Sequence, residues 1–349
     1  MEKKMMKTLI CEAGHGLRVG EIPVPEITAR QALVKTIACG ICNGTDAKLV
    51  HHKFKGFGEE LYPLTLGHEA VGEVIEVGAE VTTFKVGDRV LLPFVPEAKS
   101  YFGIHSAWGG YSEYGVVDDP ACYAPGEAPE CAYGQTVLPD DLDPVDATII
   151  VTFREVLSSI KRFGIEAQKP CVVFGCGPVG LTFIRFMSYL GVSPIIAFDI
   201  IDEKLEDAKK VGADFAFNSK LCDPVEKVRD LCPDGVPYVL DAVGVTDLIN
   251  TAMGMLTDQG RICCYGISPE MDMHLDWSKA PYNWTLQFQQ FPSKVEEGEA
   301  HDQIIEWIRE GKLVMKDYIS DYFDFADILK AFEVLEKKEI SKKGIIVYR

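Results

Sequence analysis

The 349-residue sequence has no long apolar segment and no tight cluster of cysteines. No window approaches the ~18 apolar residues that a membrane-spanning helix requires. The amino-terminal lysines are followed by too short an apolar run for a secretory signal. The eleven cysteines are odd in number and scattered, in a chain too large to need disulfide staples. These absences predict a cytoplasmic protein with reduced thiols and no membrane partner.

Basic residues are also scarce. The chain has 35 Lys and Arg against 53 Asp and Glu, which gives a formal net charge of −18. Nucleic acid and anionic membranes would repel such a protein, so we expect neither as a partner. Hydrophobic residues make up 47% and charged residues 25% of the chain, an ordinary globular balance. The length favours two domains.

The first 146 residues show short β-like runs separated by glycine and proline. These runs are Ala32–Ala38, Gly72–Val77, Arg89–Pro93 and Tyr111–Val117. Irregular, glycine-rich β structure of this kind is typical of a compact β domain with functional loops. The amino-terminal part is therefore predicted to be β-rich.

The pattern then changes to strands alternating with helices. Predicted strands are Pro170–Phe174, Ile195–Phe198, Phe215–Phe217, Tyr238–Leu240, Arg261–Tyr265 and Trp284–Phe288, with helices at Val179–Leu190 and Lys204–Val211. This alternation predicts an α/β fold with a doubly wound parallel sheet. Two helices, Asp302–Arg309 and Ala326–Lys337, and a strand, Gly344–Tyr348, end the chain and fit either domain on pattern alone.

A glycine-rich turn follows the first strand of that region. Gly175, Gly177 and Gly180 form the pattern G-x-G-x-x-G between a strand and a helix. The first glycine permits a tight turn, the second lets the backbone approach a pyrophosphate, and the third allows close packing of helix and strand. The helix N-terminus adds free N–H groups and a positive dipole. The segment therefore predicts a dinucleotide site, with an ordinary structural turn as the alternative.

An acidic residue ends the next strand. Asp199 lies 19 residues after Gly180. A carboxylate there accepts hydrogen bonds from a ribose 2′-hydroxyl and repels a 2′-phosphate. The following residues Ile200, Ile201 and Asp202 supply no cation for such a phosphate. The pattern predicts NAD rather than NADP, with capping of the next helix as the alternative role for Asp199.

Metal-binding side chains occur in two patches of the first half. One patch runs from Cys39 through Cys42 to Asp46, and the other contains His68 and Glu69. Zinc accepts thiolate, imidazole and carboxylate ligands, and a catalytic zinc site takes three from the protein. Cys42, His68 and Glu69 supply one of each. On chemistry alone, the cysteines fit core packing equally well.

These patches occur within an ordered series of motifs. The series is CGICNGTD, LGHEAVGEV, VGDRV, GGYSEYGVV, VFGCGPVGL and LDAVG. In this order it resembles the medium-chain zinc-dependent alcohol dehydrogenase family, in particular its sorbitol or polyol branch, over essentially the whole chain. The resemblance implies a GroES-like β-rich catalytic domain from residues 1–150 and 293–349. A Rossmann NAD-binding domain from residues 151–292 is inserted between them.

The resemblance also implies roles for individual residues. Cys42 and His68 would bind one catalytic zinc, Glu69 would be a third ligand or lie close behind, and Cys39 would be a packed thiol. Thr45 would pass the substrate proton toward His51 or His52. The implied catalytic residues are thus Cys42, Thr45, His68 and Glu69. The implied cofactor contacts are Gly175, Gly177, Pro178, Val179, Gly180, Asp199, Lys204 and Val243.

Three positions depart from the family pattern. Val151 stands where the family usually has a Cys or Glu ligand, which leaves Glu69 or Glu155 to complete the zinc site. An extra residue in Asn43-Gly44 shifts Thr45. Residues 91–123 lack the four close cysteines of a structural zinc lobe, and Cys122 and Cys131 are too few to replace them. One zinc ion per chain is predicted.

The function that follows is hydride transfer from a secondary alcohol to NAD. We expect a polyol, sugar or sugar-phosphate-like substrate and a homo-oligomer, a dimer or tetramer as in relatives. Two alternatives stay open. One is a zinc-free quinone or enoyl reductase on the same fold, which normally lacks the Cys42 and His68 pair. The other is a non-enzymatic NAD(H)-binding sensor or crystallin-like protein.

Overall fold

The computed structural model describes residues 4–14, 16–96, 103–268, 270 and 272–349. The chain divides into two units. The first is formed by Met1–Arg154 and Ser293–Arg349, and the second by Glu155–Pro292. Within the described residues, no helix has the length and apolar character needed to cross a membrane.

The first unit is β-rich and draws on both ends of the chain. Its amino-terminal strands are β1 (Met5–Cys11), β2 (Leu17–Pro23), β3 (Gln31–Gly40), β4 (Leu64–Thr65), β5 (Ala70–Val77), β6 (Arg89–Leu91), β7 (His105–Ser106) and β8 (Tyr114–Asp118). Its amino-terminal helices are α1 (Asp46–Val50), α2 (Glu130–Gly134) and the start of α3 (Ile149–Phe163).

The second unit alternates strands and helices. Its strands are β9 (Cys171–Phe174), β10 (Ile195–Asp199), β11 (Phe215–Asn218), β12 (Val236–Asp241), β13 (Leu256–Cys264) and β14 (Trp284–Phe288). Its helices, after the end of α3, are α4 (Pro178–Tyr189), α5 (Asp202–Lys210), α6 (Pro224–Leu231) and α7 (Thr246–Met253). The chain then returns to the first unit with α8 (Lys294–Arg309), β15 (Ile319–Asp324), α9 (Ile328–Glu336) and β16 (Lys343–Val347).

Two sheets organise the first unit. One has the order β2-β1-β4-β7, and the other runs β15-β16-β3-β5-β6, with β8 also paired to β3. β3 is antiparallel to both β5 and β16. Antiparallel neighbours place the end of one strand beside the start of the next. The end of β3 therefore lies beside the start of β5, and its last three residues pair with residues 345–347 of β16.

The sheet of the second unit is parallel throughout, in the order β11-β10-β9-β12-β13-β14. Its central strands are apolar because helices cover both faces of such a sheet. All four residues of Cys171–Phe174 and the first four of Ile195–Asp199 are buried. The predicted fold class, a β-rich domain with a doubly wound parallel sheet, is confirmed.

The last long helix begins earlier than its sequence pattern predicts. It spans Lys294–Arg309, whereas the predicted helix starts at Asp302. Ser293 and Glu296 form a capping box in which each side chain accepts a hydrogen bond from the other's backbone N–H. The first turns bury polar residues, including Lys294 and Glu297, so the apolar periodicity there is weak.

Candidate active site

Three metal-binding side chains meet where β3 ends and β5 begins. Cys42 follows β3 by two residues, and His68 and Glu69 directly precede β5. The pairing of Cys39 with Ala70 brings these segments side by side. One ligand atom from each of Cys42, His68 and Glu69 lies within 4.8 Å of the others. The sheet register therefore assembles a thiol, an imidazole and a carboxylate at one point.

A bend in the chain lets His68 and Glu69 reach the same point. Adjacent residues of an extended chain point to opposite sides. Here Gly67 has a φ of +98°, and a Cβ at this position would lie 2.7 Å from the backbone nitrogen of Tyr111. Only glycine fits that conformation and that space. The chain bends at His68, and His68 Nε2 lies 4.0 Å from Glu69 Oε1.

Asp46 supports the imidazole from behind. Its Oδ2 accepts hydrogen bonds from the Cys42 backbone N–H at 2.9 Å and the Tyr111 hydroxyl at 2.6 Å. Its Oδ1 lies 3.8 Å from His68 Nδ1, and neither of those two buried atoms has a hydrogen-bond partner. Burial raises the pKa of Asp46, although His68, Tyr111 and Cys42 oppose the rise. A carboxylate near Nδ1 leaves Nε2 to face the metal-binding point.

Glu69 is held by two side chains and keeps one oxygen without a partner. Its Oε1 accepts hydrogen bonds from Lys343 Nζ at 2.8 Å and from the Thr152 hydroxyl at 3.3 Å. Its Oε2 is buried and has no hydrogen-bond partner. Burial alone would raise the pKa of Glu69, but Lys343 and His68 lower it below its ordinary value. Glu69 is therefore a buried carboxylate anion with one oxygen available.

A glycine at the end of β3 makes room for this carboxylate. A Cβ added to Gly40 would lie 2.4 Å from Glu69 Oε2 and 3.3 Å from Glu69 Cβ. The backbone N–H of Gly40 also donates to the Glu69 carbonyl at 3.0 Å. Any larger residue at Gly40 would displace the carboxylate.

These residues fit a zinc ion. Thiolate, imidazole and carboxylate are the ligands that zinc prefers, and ligand atoms on one tetrahedral ion lie roughly 3.3–3.8 Å apart. The 4.8 Å span therefore requires only a small contraction. The buried Oε2 of Glu69 has no hydrogen-bond partner, so a bound cation would satisfy a carboxylate oxygen that the protein does not. Cys39 is a packed thiol, because it is fully buried and burial raises its pKa well above the ordinary value.

The three residues of the expected proton path contact different parts of the protein. Thr45 is buried directly before α1 and makes no capping hydrogen bond to that helix. His51 is exposed, and its Nε2 lies 3.1 Å from Glu336. His52 has its Nδ1 2.8 Å from Glu59 Oε1. Both histidines thus contact glutamates on the protein, and the relay to either one stays a prediction.

The glycine-rich turn in the second unit has the geometry of an anion-binding site. Gly175 has a φ of +94°. A Cβ at Gly180 would lie 1.9 Å from the Gly175 carbonyl oxygen, so α4 packs against β9 only with glycine there. A Cβ at Gly177 would meet nothing within 4 Å. That open space at the N-terminus of α4, which starts at Pro178 and Val179, suits a pyrophosphate.

Asp199 fixes this turn through hydrogen bonds. Its Oδ2 accepts from the Cys176 backbone N–H at 2.7 Å, and its Oδ1 from the N–H groups of Ile200 and Ile201 at 2.7 and 3.1 Å. Its carboxylate therefore sits between the glycine-rich turn and the start of α5. Each oxygen retains a lone pair for a ribose hydroxyl.

The remaining predicted cofactor residues also lie near the turn. Val243 is 45% exposed, and a Cβ at Gly175 would lie 2.6 Å from its Cγ2. Lys204, in the first turn of α5, is close enough to Cys176 to influence its thiol electrostatically. Cys176 itself is buried, and burial raises its pKa to about 12. The turn thus combines open backbone, one carboxylate and one lysine.

Comparisons with known proteins identify the family of this chain. Residues 28–126 match the alcohol dehydrogenase GroES-like domain, and residues 178–289 match the zinc-binding dehydrogenase domain. The chain is 30% identical to an erythritol/L-threitol dehydrogenase of Mycolicibacterium smegmatis, over 78% of this chain and 79% of that protein. It is also 30% identical to an L-threonine 3-dehydrogenase of Symbiobacterium thermophilum, over 76% of each chain. The chain belongs to the medium-chain zinc-dependent alcohol dehydrogenases.

Solved structures show the same fold. Galactitol-1-phosphate dehydrogenase from Escherichia coli superposes with a TM-score of 0.79 at 22% identity, over 98% of this chain and 100% of that one. Relatives of this family are alcohol and polyol dehydrogenases, and the protein is an oxidoreductase. The family uses zinc and a nucleotide cofactor.

Two features depart from the usual family pattern. Val151 is fully buried, and its neighbour Thr152 donates to Glu69, so the start of α3 supports a carboxylate and supplies no ligand. Glu155 opens the second unit on the same helix. The Cys122 thiol donates to the Glu80 carbonyl at 3.0 Å, and burial raises the pKa of Cys131 to about 11. Within the described residues, Cys42, His68 and Glu69 are the group positioned to hold an ion.

The sequence analysis assigned no role to five residues that shape the metal-binding site. They are Gly40, Asp46, Tyr111, Thr152 and Lys343. Asp46 follows Cys42 by four residues, the spacing of one helical turn, which is a signal that was present. Lys343 is 274 residues from Glu69 and carries no local signal.

Proposed function

We propose that this dehydrogenase oxidises a secondary alcohol of the polyol or sugar-like class with NAD, using one zinc ion held by Cys42, His68 and Glu69. The observation that carries the proposal is the convergence of those three side chains within 4.8 Å, with the buried Oε2 of Glu69 left without a hydrogen-bond partner. When bound, zinc supplies a Lewis acid that lowers the pKa of an alcohol hydroxyl, and NAD accepts the hydride.

The protein prepares this chemistry by fixing charges. Asp46 places a carboxylate 3.8 Å from His68 Nδ1, and Lys343 with Thr152 holds the carboxylate of Glu69. Glu69 and a Cys42 thiolate together balance the charge of a divalent ion, while Lys343 adds one positive charge close by. Thr45, three residues after Cys42 and buried, is the hydroxyl that would carry the substrate proton outward.

Glu69 is proposed as the third ligand in preference to Glu155. Its Oε2 is buried without a hydrogen bond, which costs free energy unless a cation is bound. The adjacent His68 keeps it near the metal at little cost in chain entropy. Residues 1–150 and 293–349 would then carry catalysis, and residues 151–292 would bind the cofactor.

NAD is proposed over NADP because the Asp199 carboxylate lies beside the glycine-rich turn, at the end of β10. A carboxylate there repels a 2′-phosphate. Relatives named for erythritol, threitol and sorbitol support a polyol-like substrate. No disulfide joins any of the eleven cysteines, all of which lie in the part of the chain that the structure describes; this suits the cytoplasm, and a homo-oligomer is expected.

The test is NAD reduction by the zinc-loaded protein with a panel of polyols, sugars, sugar phosphates and threonine-like alcohols. We expect absorbance at the NADH wavelength to rise with at least one secondary alcohol and to stop after chelation of zinc. Turnover that survives complete removal of zinc would instead indicate a zinc-free reductase. Cofactor binding without any turnover, with zinc present, would indicate a sensor.

A further inference from the structure

The segment that follows the metal-binding loop carries positive charge. Residues 48–55 contain three lysines and two histidines and no acidic residue, in a chain with a formal net charge of −18. The segment begins within α1, and α1 itself starts four residues after Cys42. A group of positive charges in an acidic protein attracts anions to the place where it lies.

Lys48 extends back toward the metal-binding cluster. Its side chain is half-buried, and its Nζ donates to the Gly44 carbonyl at 3.3 Å. Gly44 lies beside Cys42, because a Cβ added to it would be 4.0 Å from Cys42 Sγ. Lys48 is also close enough to Cys42 for the two groups to interact electrostatically. The ammonium group therefore lies near the thiol of the proposed metal site.

Lys48 differs from the buried lysines of the same unit because it has no carboxylate partner. Lys294 Nζ lies 2.6 Å from Glu297 Oε1, and Lys343 Nζ lies 2.8 Å from Glu69 Oε1. Among the residues that the structure describes, no carboxylate is close enough to Lys48 for an ion pair. Burial lowers the pKa of Lys48. A partly buried charge of this kind is stabilised when an anion binds beside it.

The turn that follows α1 fixes the backbone at Lys48. His52 has a φ of +55°, and the turn brings the Lys53 N–H to the Lys48 carbonyl at 2.8 Å. The His52 ring has its Nδ1 2.8 Å from Glu59 Oε1 and stacks on Tyr62, with the ring centroids 3.7 Å apart. The backbone of Lys48 is therefore in place before a ligand arrives, which reduces the ordering cost of binding.

We propose that Lys48 binds a phosphate group on the substrate, so that the substrate is a polyol phosphate or sugar phosphate. This inference rests on the proposed function. A phosphate monoester supplies the anion that Lys48 lacks, and the ammonium group has two further N–H donors for its oxygens. A substrate whose hydroxyl reaches the metal-binding cluster has Lys48 nearby, because Gly44 contacts Lys48 and lies beside Cys42.

The cofactor is the other source of phosphate groups. Its pyrophosphate is expected at the glycine-rich turn, at the N-terminus of α4 in the second unit. Lys48 instead belongs to the unit that contains Cys42, His68 and Glu69. We therefore assign Lys48 to the substrate, and the experiment distinguishes the two sources.

The experiment measures kcat/KM for matched pairs of substrates with NAD and zinc-loaded enzyme. Glycerol, erythritol and sorbitol are each compared with their terminal phosphate esters. We expect at least one ester to exceed its parent polyol at least about tenfold, the scale of a hydrogen bond between charged groups. Lys48→Met should bring this ratio to near one, and Lys48→Arg should retain most of it. The matched control Lys55→Met removes an exposed lysine of the same segment and should leave the ratio nearly unchanged.

A second readout does not depend on turnover. Limited acetylation of lysines, measured by peptide mass spectrometry, should modify Lys48 more slowly when the preferred ester is bound to zinc-loaded protein with NADH present. The parent polyol at the same concentration should not protect Lys48, and neither compound should change the modification of Lys55. Zinc content and NADH affinity of Lys48→Met should equal those of the wild type.

Three results would overturn the inference alone. One is a wild-type enzyme that uses every parent polyol as well as its ester. Another is a Lys48→Met variant in which the ratio is unchanged. The third is a Lys48→Met variant with weakened NADH binding, which would assign Lys48 to the cofactor. No turnover of any alcohol, phosphorylated or not, by zinc-loaded protein would instead overturn the proposed function, and the inference with it.

Discussion

The metal-binding cluster and the glycine-rich turn differ in how many of their polar atoms have hydrogen-bond partners within the protein. In the cluster, His68 Nδ1, Asp46 Oδ1 and Glu69 Oε2 are buried without hydrogen-bond partners. At the turn, Asp199 already binds three backbone N–H groups, and the space beside Gly177 is open. The turn has its hydrogen bonds without a ligand, whereas the cluster leaves a buried oxygen of Glu69 for a cation to satisfy.

This difference separates the two binding steps. A preformed turn binds its cofactor with little rearrangement. A cluster with unsatisfied buried groups gains stability when an ion binds, because metal affinity then adds to the free energy of folding. We therefore expect loss of the metal to affect catalysis and local stability, while cofactor affinity changes little. The following variants test that separation.

The largest effect is expected from Cys42→Ser. Loss of the thiolate should remove zinc and lower turnover by more than about 100-fold. Loss of a residue that only supports a metal ligand already lowers activity by up to about 100-fold, and loss of the ligand itself should lower it further. NADH affinity should be unchanged. Elemental analysis and NADH fluorescence titration measure the two properties. The matched control is Cys39→Ser, which should keep its zinc. If Cys42→Ser kept zinc and Cys39→Ser lost it, the ligand would be Cys39.

Lys343→Met tests how strongly the stability of the metal-binding cluster depends on a bound cation. Without zinc, the variant leaves the Glu69 carboxylate buried and uncompensated, a loss of about 3–5 kcal/mol for a broken buried pair. Bound zinc compensates part of that loss. Thermal unfolding should therefore show a larger decrease for the metal-free variant than for the zinc-loaded one. Equal decreases would mean that zinc and Glu69 do not interact.

The choice between Glu69 and Glu155 is tested by matched amide variants. Glu69→Gln should reduce zinc occupancy or turnover by roughly 10–100-fold, the range for loss of a ligand or its close support. Glu155→Gln should be much milder. Zinc titration with a competing chelator and steady-state kinetics measure both. The opposite ranking would make Glu155 the third ligand.

A smaller effect is expected at the turn. The wild type should prefer NAD over NADP by at least about 2 kcal/mol, the scale of an unpaired polar or charged contact. Asp199→Ala should narrow that difference, mainly by weakening NAD binding, and should leave zinc content unchanged. The ratio of kcat/KM for the two cofactors measures it. Comparable efficiency of the wild type with both cofactors would show that Asp199 does not select NAD over NADP.

The sequence predicted those structural elements that depend on residues close together in the chain. The glycine spacing located a strand, a turn and a helix, and Asp199 ends the next strand. The early start of α8 was missed because its first turns bury polar side chains, although Ser293 and Glu296 signal a cap. The contact of Lys343 with Glu69 depends on strand pairing between distant segments.

The most direct test of the account is the zinc content of the purified wild-type protein together with its response to chelation. We predict one zinc ion per chain by elemental analysis. Removal of that ion should abolish NAD reduction while NADH still binds with nearly unchanged affinity. Two ions per chain, or full turnover in protein without zinc, would contradict the account.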